Sequence, residues 1–229
     1  KILSLVIIGV CILLPDVCYA FLSKDVHLLN MQNGLADNTV SAVYKDKEGF
    51  VWFGTRNGLS RYDGRRITNF ERSRSYPSIS NLKEVFDGVL AFVDNGVFSA
   101  FDLKKERFLS VVSSSGQGIP SRGMLQRNDS LVWVISGSEL HLMKRCASKE
   151  GELRLRVQEK YTGWNNQDNL LVAITYSSDK KSICLIDEKG RIILLDATNL
   201  NSFRVIDLGR IGSLSVNSVL YDDGRIWIS

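Results

Sequence analysis

The sequence predicts an all-β fold, a β-propeller of four-stranded antiparallel blades, on three observations. Alternating apolar residues, an acidic Gly-containing turn and a Trp return together with a period near 43 residues, the length of a propeller blade. Each copy divides into short β-prone runs bounded by Asn-Gly, Asp-Gly or similar pairs, the turn chemistry of tight hairpins. No copy carries the apolar spacing of an amphipathic helix. Composition agrees: of 229 residues, 44% are hydrophobic and 24% charged, with 18 Gly and 3 Pro. That mix suits a packed core and excludes a disordered, collagen-like or multi-span membrane chain. A net charge of +4 is too small to argue for nucleic acid.

The elements follow from the best copy. Val40 to Lys45 reads as an inner strand, Asp46 to Gly49 as a polar turn, and Phe50 to Gly54 as a second strand centred on Trp52. Asn57-Gly58 supplies a pair that tolerates positive φ. Leu59 to Tyr62 then makes a third strand, Asp63-Gly64 a turn, and Arg66 to Phe70 an outer strand. Val216 to Ser229 (VNSVLYDDGRIWIS) repeats the start of this pattern. Weaker copies at Asp87 to Val93, Asp129 to Ile135 and Asp179 to Ile186 align Ala91, Trp133 and Cys184 with Trp52 and Trp227, at spacings of 39, 42, 51 and 43 residues. Asp94-Asn95-Gly96 precedes a third strand at Val97 to Phe101, and Glu188-Lys189-Gly190 another at Arg191 to Leu195. Leu153-Arg154-Leu155-Arg156-Val157 alternates as an outer strand with one wet face does. The expected units lie near 40–72, 82–112, 123–157, 170–207 and, truncated, 216–229, with residues 26–30 as a ring-closing outer strand. Trp52, Trp133 and Trp227 are expected to pack between neighbouring blades, with Gly49, Gly54, Asn57 and Gly58 shaping the first unit.

The first twenty residues read differently. Lys1, the apolar run from Ile2 to Leu14, the breaker Pro15 and the small residues at Cys18 and Ala20 read as a secretory signal peptide, residues 1–20, with cleavage expected after Ala20 and an uncleaved N-terminal membrane anchor as the alternative. The protein is therefore expected outside the cytoplasm, which permits disulfides. Only Cys146 and Cys184 remain after cleavage, and whether they pair is left open.

Reactive groups are sparse. His27 and His141 sit in apolar strand contexts, no G-x-S-x-G elbow is present, and Gly116-Gln117-Gly118 lacks the Lys and helix of a phosphate loop. Asp46/Glu48 and Asp222/Asp223 occupy the same repeat turn, a place for hairpin solvation rather than paired acid and base. No metal or organic cofactor is expected. Six Arg lie close together, at positions 56, 61, 65, 66, 72 and 74. They read either as a charged blade edge that resists strand pairing or, through Arg61, as contacts to an acidic sugar or a partner protomer. The loop from Tyr161 to Asp168 (YTGWNNQD) holds the one Trp off the repeat position. Trp164, Asn165 and Asn166 are the candidate sugar contacts, an aromatic platform beside planar amides, and the loop is the expected source of the 51-residue spacing.

Asn33 to Val40 (NGLADNTV), running on through the string from Val43 to Gly64 (VYKDKEGFVWFGTRNGLSRYDG), resembles the first repeat of the two-component regulator propeller family of hybrid two-component sensors. The resemblance implies seven-bladed rings, a periplasmic location after signal-peptide cleavage, and a membrane helix leading to a cytoplasmic histidine kinase with transcriptional output. It further implies an oligosaccharide ligand, activation of polysaccharide-utilisation genes, and a homodimer in the whole sensor, with no nucleic acid bound by this region. Relative to the family the chain stops at Ser229, within the second strand of its fifth unit. An incomplete arc of about five blades is therefore expected, with membrane contact only through a C-terminal region of the sensor beyond Ser229. Two alternatives stay open: an exported propeller enzyme of lyase type, and the same module joined to a diguanylate cyclase.

Overall fold

The computed structural model describes residues 28–71, 79–164, 169–207, 219–222 and 224–228. Eighteen strands and one 3-10 turn, Met31–Asn33, account for its regular structure. The first blade comprises β1 (Val40–Lys45), β2 (Val51–Thr55), β3 (Gly58–Tyr62) and β4 (Ile67–Glu71). The second comprises β5 (Ile79–Phe86), β6 (Val89–Asp94), β7 (Val97–Asp102) and β8 (Arg107–Ser113). In the third, β9 (Gly123–Asn128) and β10 (Leu131–Ser136) lead to the long β11 (Glu139–Cys146) and β12 (Glu152–Tyr161). The fourth holds β13 (Leu171–Tyr176), β14 (Ser182–Asp187), β15 (Ile192–Asp196) and β16 (Phe203–Ile206), and a final hairpin pairs β17 (Val219–Asp222) with β18 (Arg225–Ile228). Within each blade consecutive strands pair antiparallel, the all-β architecture read from the sequence.

The first blade shows how turn chemistry writes the meander. Asp46 Oδ1 accepts the Phe50 N–H at 2.9 Å, Oδ2 accepts the Trp52 indole N–H at 2.7 Å, and Gly49 turns the chain at φ 93°. The acidic turn residue is thus an acceptor built for the repeat Trp. At the next hairpin the turn residues are Arg56 and Asn57, and Gly58 opens β3 at φ 116°, so the positive φ falls on the Gly alone. The segment before β1 docks on this blade. Asn57 Nδ2 donates to the Ala36 carbonyl at 3.0 Å and Asn69 Nδ2 to that of Gly34 at 2.9 Å. Of the expected ring-closing strand only Leu28–Asn30 are described. They are not in a strand, and Asn30 instead caps the 3-10 turn.

Blades stack face to face, and the strand period of two decides which neighbour each side chain meets. In β6, Leu90 and Phe92 join Trp52, Leu59 and Ile79 against the first blade, while Val89, Ala91 and Val93 join Met124, Val132 and Val134 against the third. In β10 the neighbours alternate again: Trp133 and Ile135 meet Leu171, Ile183 and Leu185 of the fourth blade. β6 is buried at every position because both of its faces are covered. Ala91 holds the Trp place where Met124 and Phe98 already fill the gap.

Trp52 and Trp133 are buried as expected, at 1% and 2% exposure, whereas Trp227 is 59% exposed. Its hairpin lays Val219, Tyr221 and Ile226 on the fourth blade, which turns the alternate side chains Leu220 and Trp227 to the face that no described residue covers.

Two features were not legible. The outer strands β8 and β12 pair in parallel, Ser110 to Ser113 against Glu152 to Leu155, fusing the second and third blades into one eight-stranded sheet. The long hairpin of β11 and β12 also takes up chain that the sequence reading assigned wholly to the loop after Tyr161; β12 itself runs to Tyr161.

Candidate functional site

The sequence-derived candidates separate. Asn165 and Asn166 lie outside the described residues, as do Arg72 and Arg74. Trp164 is not an exposed platform: it is 5% exposed, shares a core cluster with Trp133, Leu171 and Leu195, and meets the Phe203 ring edge-on at 6.4 Å. The apolar gap between the third and fourth blades draws the ring in, and its buried indole N–H has no partner among the described residues.

Arg61 is occupied within the fold. Its guanidinium stands 4.8 Å from the Phe50 ring centre and 5.6 Å from those of Trp52 and Phe70, and its Nη1 meets Glu106 Oε1 of the second blade at 2.6 Å. A stacked, neutralised Arg that joins two blades is a strut. Arg65 and Arg66 follow the Asp63 turn, where Asp63 Oδ1 accepts both backbone N–H groups.

The other reactive groups are also engaged. His141 Nε2 lies 2.6 Å from Glu139 Oε2, and the hydrogen bond to His141, then the Lys160 ammonium, holds the Glu139 carboxyl below its usual range. Cys146 and Cys184 are both free; Cys184 is buried in β14, and burial pushes its thiol up to about 12. Among the described residues no three His, Cys, Asp or Glu side chains gather to hold a metal.

The structure instead brings together five residues that no sequence motif marked. Gln126, Arg127 and Asn128 at the end of β9 face Tyr176 and Lys180 at the end of β13 and the turn after it, across a groove of about 290 Å³ between the third and fourth blades. Each position has a local cause. In the third blade the residue equivalent to Asp46 is Asn128, whose Oδ1 is consumed by its own turn, accepting the Ser130 and Leu131 N–H groups. The Trp133 indole therefore reaches across to the next blade and donates to the Tyr176 hydroxyl at 3.1 Å.

Arg127 stacks 5.7 Å from the Trp133 ring centre, and its Nη1 donates to the Ala197 carbonyl at 2.9 Å. Lys180 is exposed at φ 57° and forms no ion pair among the described residues. Beside the groove, burial and a hydrogen bond to Glu159 raise the Tyr161 phenol to about 12, so it stays protonated at any physiological pH.

The lining thus offers mostly donors. Tyr176 accepts from Trp133 and keeps its own O–H to give, Asn128 keeps its Nδ2 amide, and Arg127 and Lys180 can only donate. A sequence signal did exist: Arg127 stands six residues before Trp133, across a hairpin that puts a cation on the ring. Its partner blade, however, could be known only from the fold.

Residues 34–57 match the two-component regulator propeller family. Similar solved structures include the extracellular domain of BT4673 of B. thetaiotaomicron, described as a one component system, with a TM-score of 0.63 at 16% identity over 88% of this chain and 30% of that one. The extracellular domain of BT3049 of B. thetaiotaomicron, described as a hybrid two component system, gives 0.60 at 18% identity over 88% and 29%. The WD40 β-propeller domain of Doa1 gives 0.54 at 13% identity over 85% and 61%. At such identities the likeness establishes the propeller fold, and the chain spans about 30% of the length of the first two proteins. No curated protein matches the sequence.

Proposed function

We propose that this chain is the ligand-reading propeller of an exported two-component sensor, recognising oligosaccharides and reporting them toward genes for polysaccharide use. The observation that carries this reading is the family match at residues 34–57, set in a fold similar to extracellular domains of such systems. The chemistry supports binding over catalysis: His141 is paired with Glu139, Cys184 is buried, and Asp46 is bonded to Trp52. In this reading the domain works in the periplasm, the whole receptor is a homodimer, and ligand contact biases the placement of neighbouring rigid units, passing on a population shift. Thermal-shift and calorimetric titration of the chain against a panel of neutral and acidic plant and host oligosaccharides tests it. Saturable binding of one class is the expected result; binding of none, by a chain shown to be folded, overturns the reading.

A further inference from the structure

We infer that the groove between the third and fourth blades is an oxyanion site that takes the carboxylate or sulfate of an acidic saccharide. The inference rests on the saccharide reading above and specifies the chemistry of one contact. Two interfaces of the same kind make the case. Between the first and second blades, Arg61 lies over Trp52 and its charge is met by Glu106, in the turn between β7 and β8, at 2.6 Å. Between the third and fourth, Arg127 reaches Trp133 from β9 rather than from the third strand and stands a similar distance from the ring, 5.7 Å, and the group it meets from the corresponding turn, between β15 and β16, is the neutral Ala197 carbonyl. Among the described residues Arg127 forms no ion pair to match the one Arg61 makes, and Lys180 adds another cation there.

An oxyanion supplies what is missing. A carboxylate or sulfate offers only acceptors, matching the fork of Arg127, the Lys180 ammonium, the Asn128 amide and the Tyr176 hydroxyl. Among the described residues no carboxylate lines the groove to compete. Arg127 is held by its stacking and its bond to Ala197, so binding need not order it. Sugar hydroxyls beside the anion would find the Gln126 amide. A ligand here touches two blades at once.

The Trp133 indole N–H, bonded to Tyr176 at the groove, is a local reporter. The test follows its NMR signal in the full chain, assigned through Trp133→Phe, during titration at fixed ionic strength with glucuronic acid, glucose 6-sulfate, glucose and sodium sulfate. The two acidic sugars should shift the signal saturably and glucose should not, and Arg127→Gln or the exposed Lys180→Gln should weaken binding about tenfold. Acidic sugars that act no differently from glucose, or bind both variants as well as the parent, overturn the site. Sodium sulfate binding as tightly as glucose 6-sulfate overturns the saccharide assignment. Oligosaccharide binding by calorimetry with a silent Trp133 signal rejects this groove while leaving the sensor reading intact.

Discussion

Gly54→Ala is the sharpest probe of how the blades are stacked. Gly54 lies in β2 two residues after Trp52, on the side that faces the second blade. A Cβ built there would stand 2.5 Å from Ile79 Cγ2, 3.0 Å from Ile79 Cβ and 3.3 Å from Ala42 Cβ, against an ordinary carbon contact of about 3.5–4.0 Å. Ile79 is fully buried, and its carbonyl accepts the Ser41 hydroxyl at 2.5 Å, so it is pinned from both ends. Relief needs a shift of about 1 Å in a packed interface, which places the substitution among overpacking changes costing about 1–3 kcal/mol. For a chain of this size each kcal/mol lowers the melting temperature by about 2–4 °C. Thermal unfolding followed by Trp fluorescence gives the value, and Ile79→Ala in the same background separates cause from coincidence. The double variant should be more stable than the sum of the single losses predicts, because truncating Ile79 makes the room the new methyl needs. A Gly54→Ala protein with unchanged stability, or strict additivity with Ile79→Ala, would refute the close-approach argument.

Other residues give independent expectations. Asp46→Ala strips the acceptor from the buried Trp52 indole and the Phe50 N–H and should cost about 2 kcal/mol or more in urea unfolding; a loss under about 0.5 kcal/mol would mean that water replaces it. A double-mutant cycle on Arg61 and Glu106, with Glu106 half exposed, should return no more than about 1 kcal/mol, shrinking with salt. Cys184, its thiol pushed up to about 12 by burial, should resist iodoacetamide in the native protein at pH 8 while the more accessible Cys146 reacts; equal labelling rates would contradict the packing. Glu139 is held below its usual 4.5 by the hydrogen bond to His141 and by Lys160. Its contribution is therefore present above that pH and lost as the pH falls through the lower native value. Melting curves of Glu139→Gln and the parent should differ near pH 6 and converge toward pH 3, and a constant gap would reject the pairing.

The sequence exposed the blade because a blade is local. Asp46, Gly49, Trp52 and Gly58 act within one hairpin or the next, over separations short enough for period and turn chemistry to reveal them. The expected core roles of Trp52 and Trp133 held for the same reason. The site was largely illegible. Arg127 and Tyr176 are 49 residues apart in sequence yet line one groove, and Tyr176 is held there by the Trp133 indole, which reaches across because Asn128 replaces the Asp that would have satisfied it. Trp164 was misjudged because composition marks an aromatic in a polar loop as exposed, while an apolar gap between two blades can draw it in.

Alternation, turn residues and the 43-residue recurrence determined by themselves that the chain forms short antiparallel strands in repeated four-stranded units. Only the tertiary structure decided which face of each strand meets which neighbour, that β8 and β12 pair in parallel, that Glu106 neutralises Arg61, and that Arg127 meets a neutral carbonyl instead. The physical reason is range. Hairpin geometry is set by residues adjacent along the chain, and the repeat places a large side chain such as Trp52 or Trp133 at a blade interface, whereas charge balance and a shared groove arise only where separate blades come together, and the spacing of residues does not encode which partner each side chain meets there.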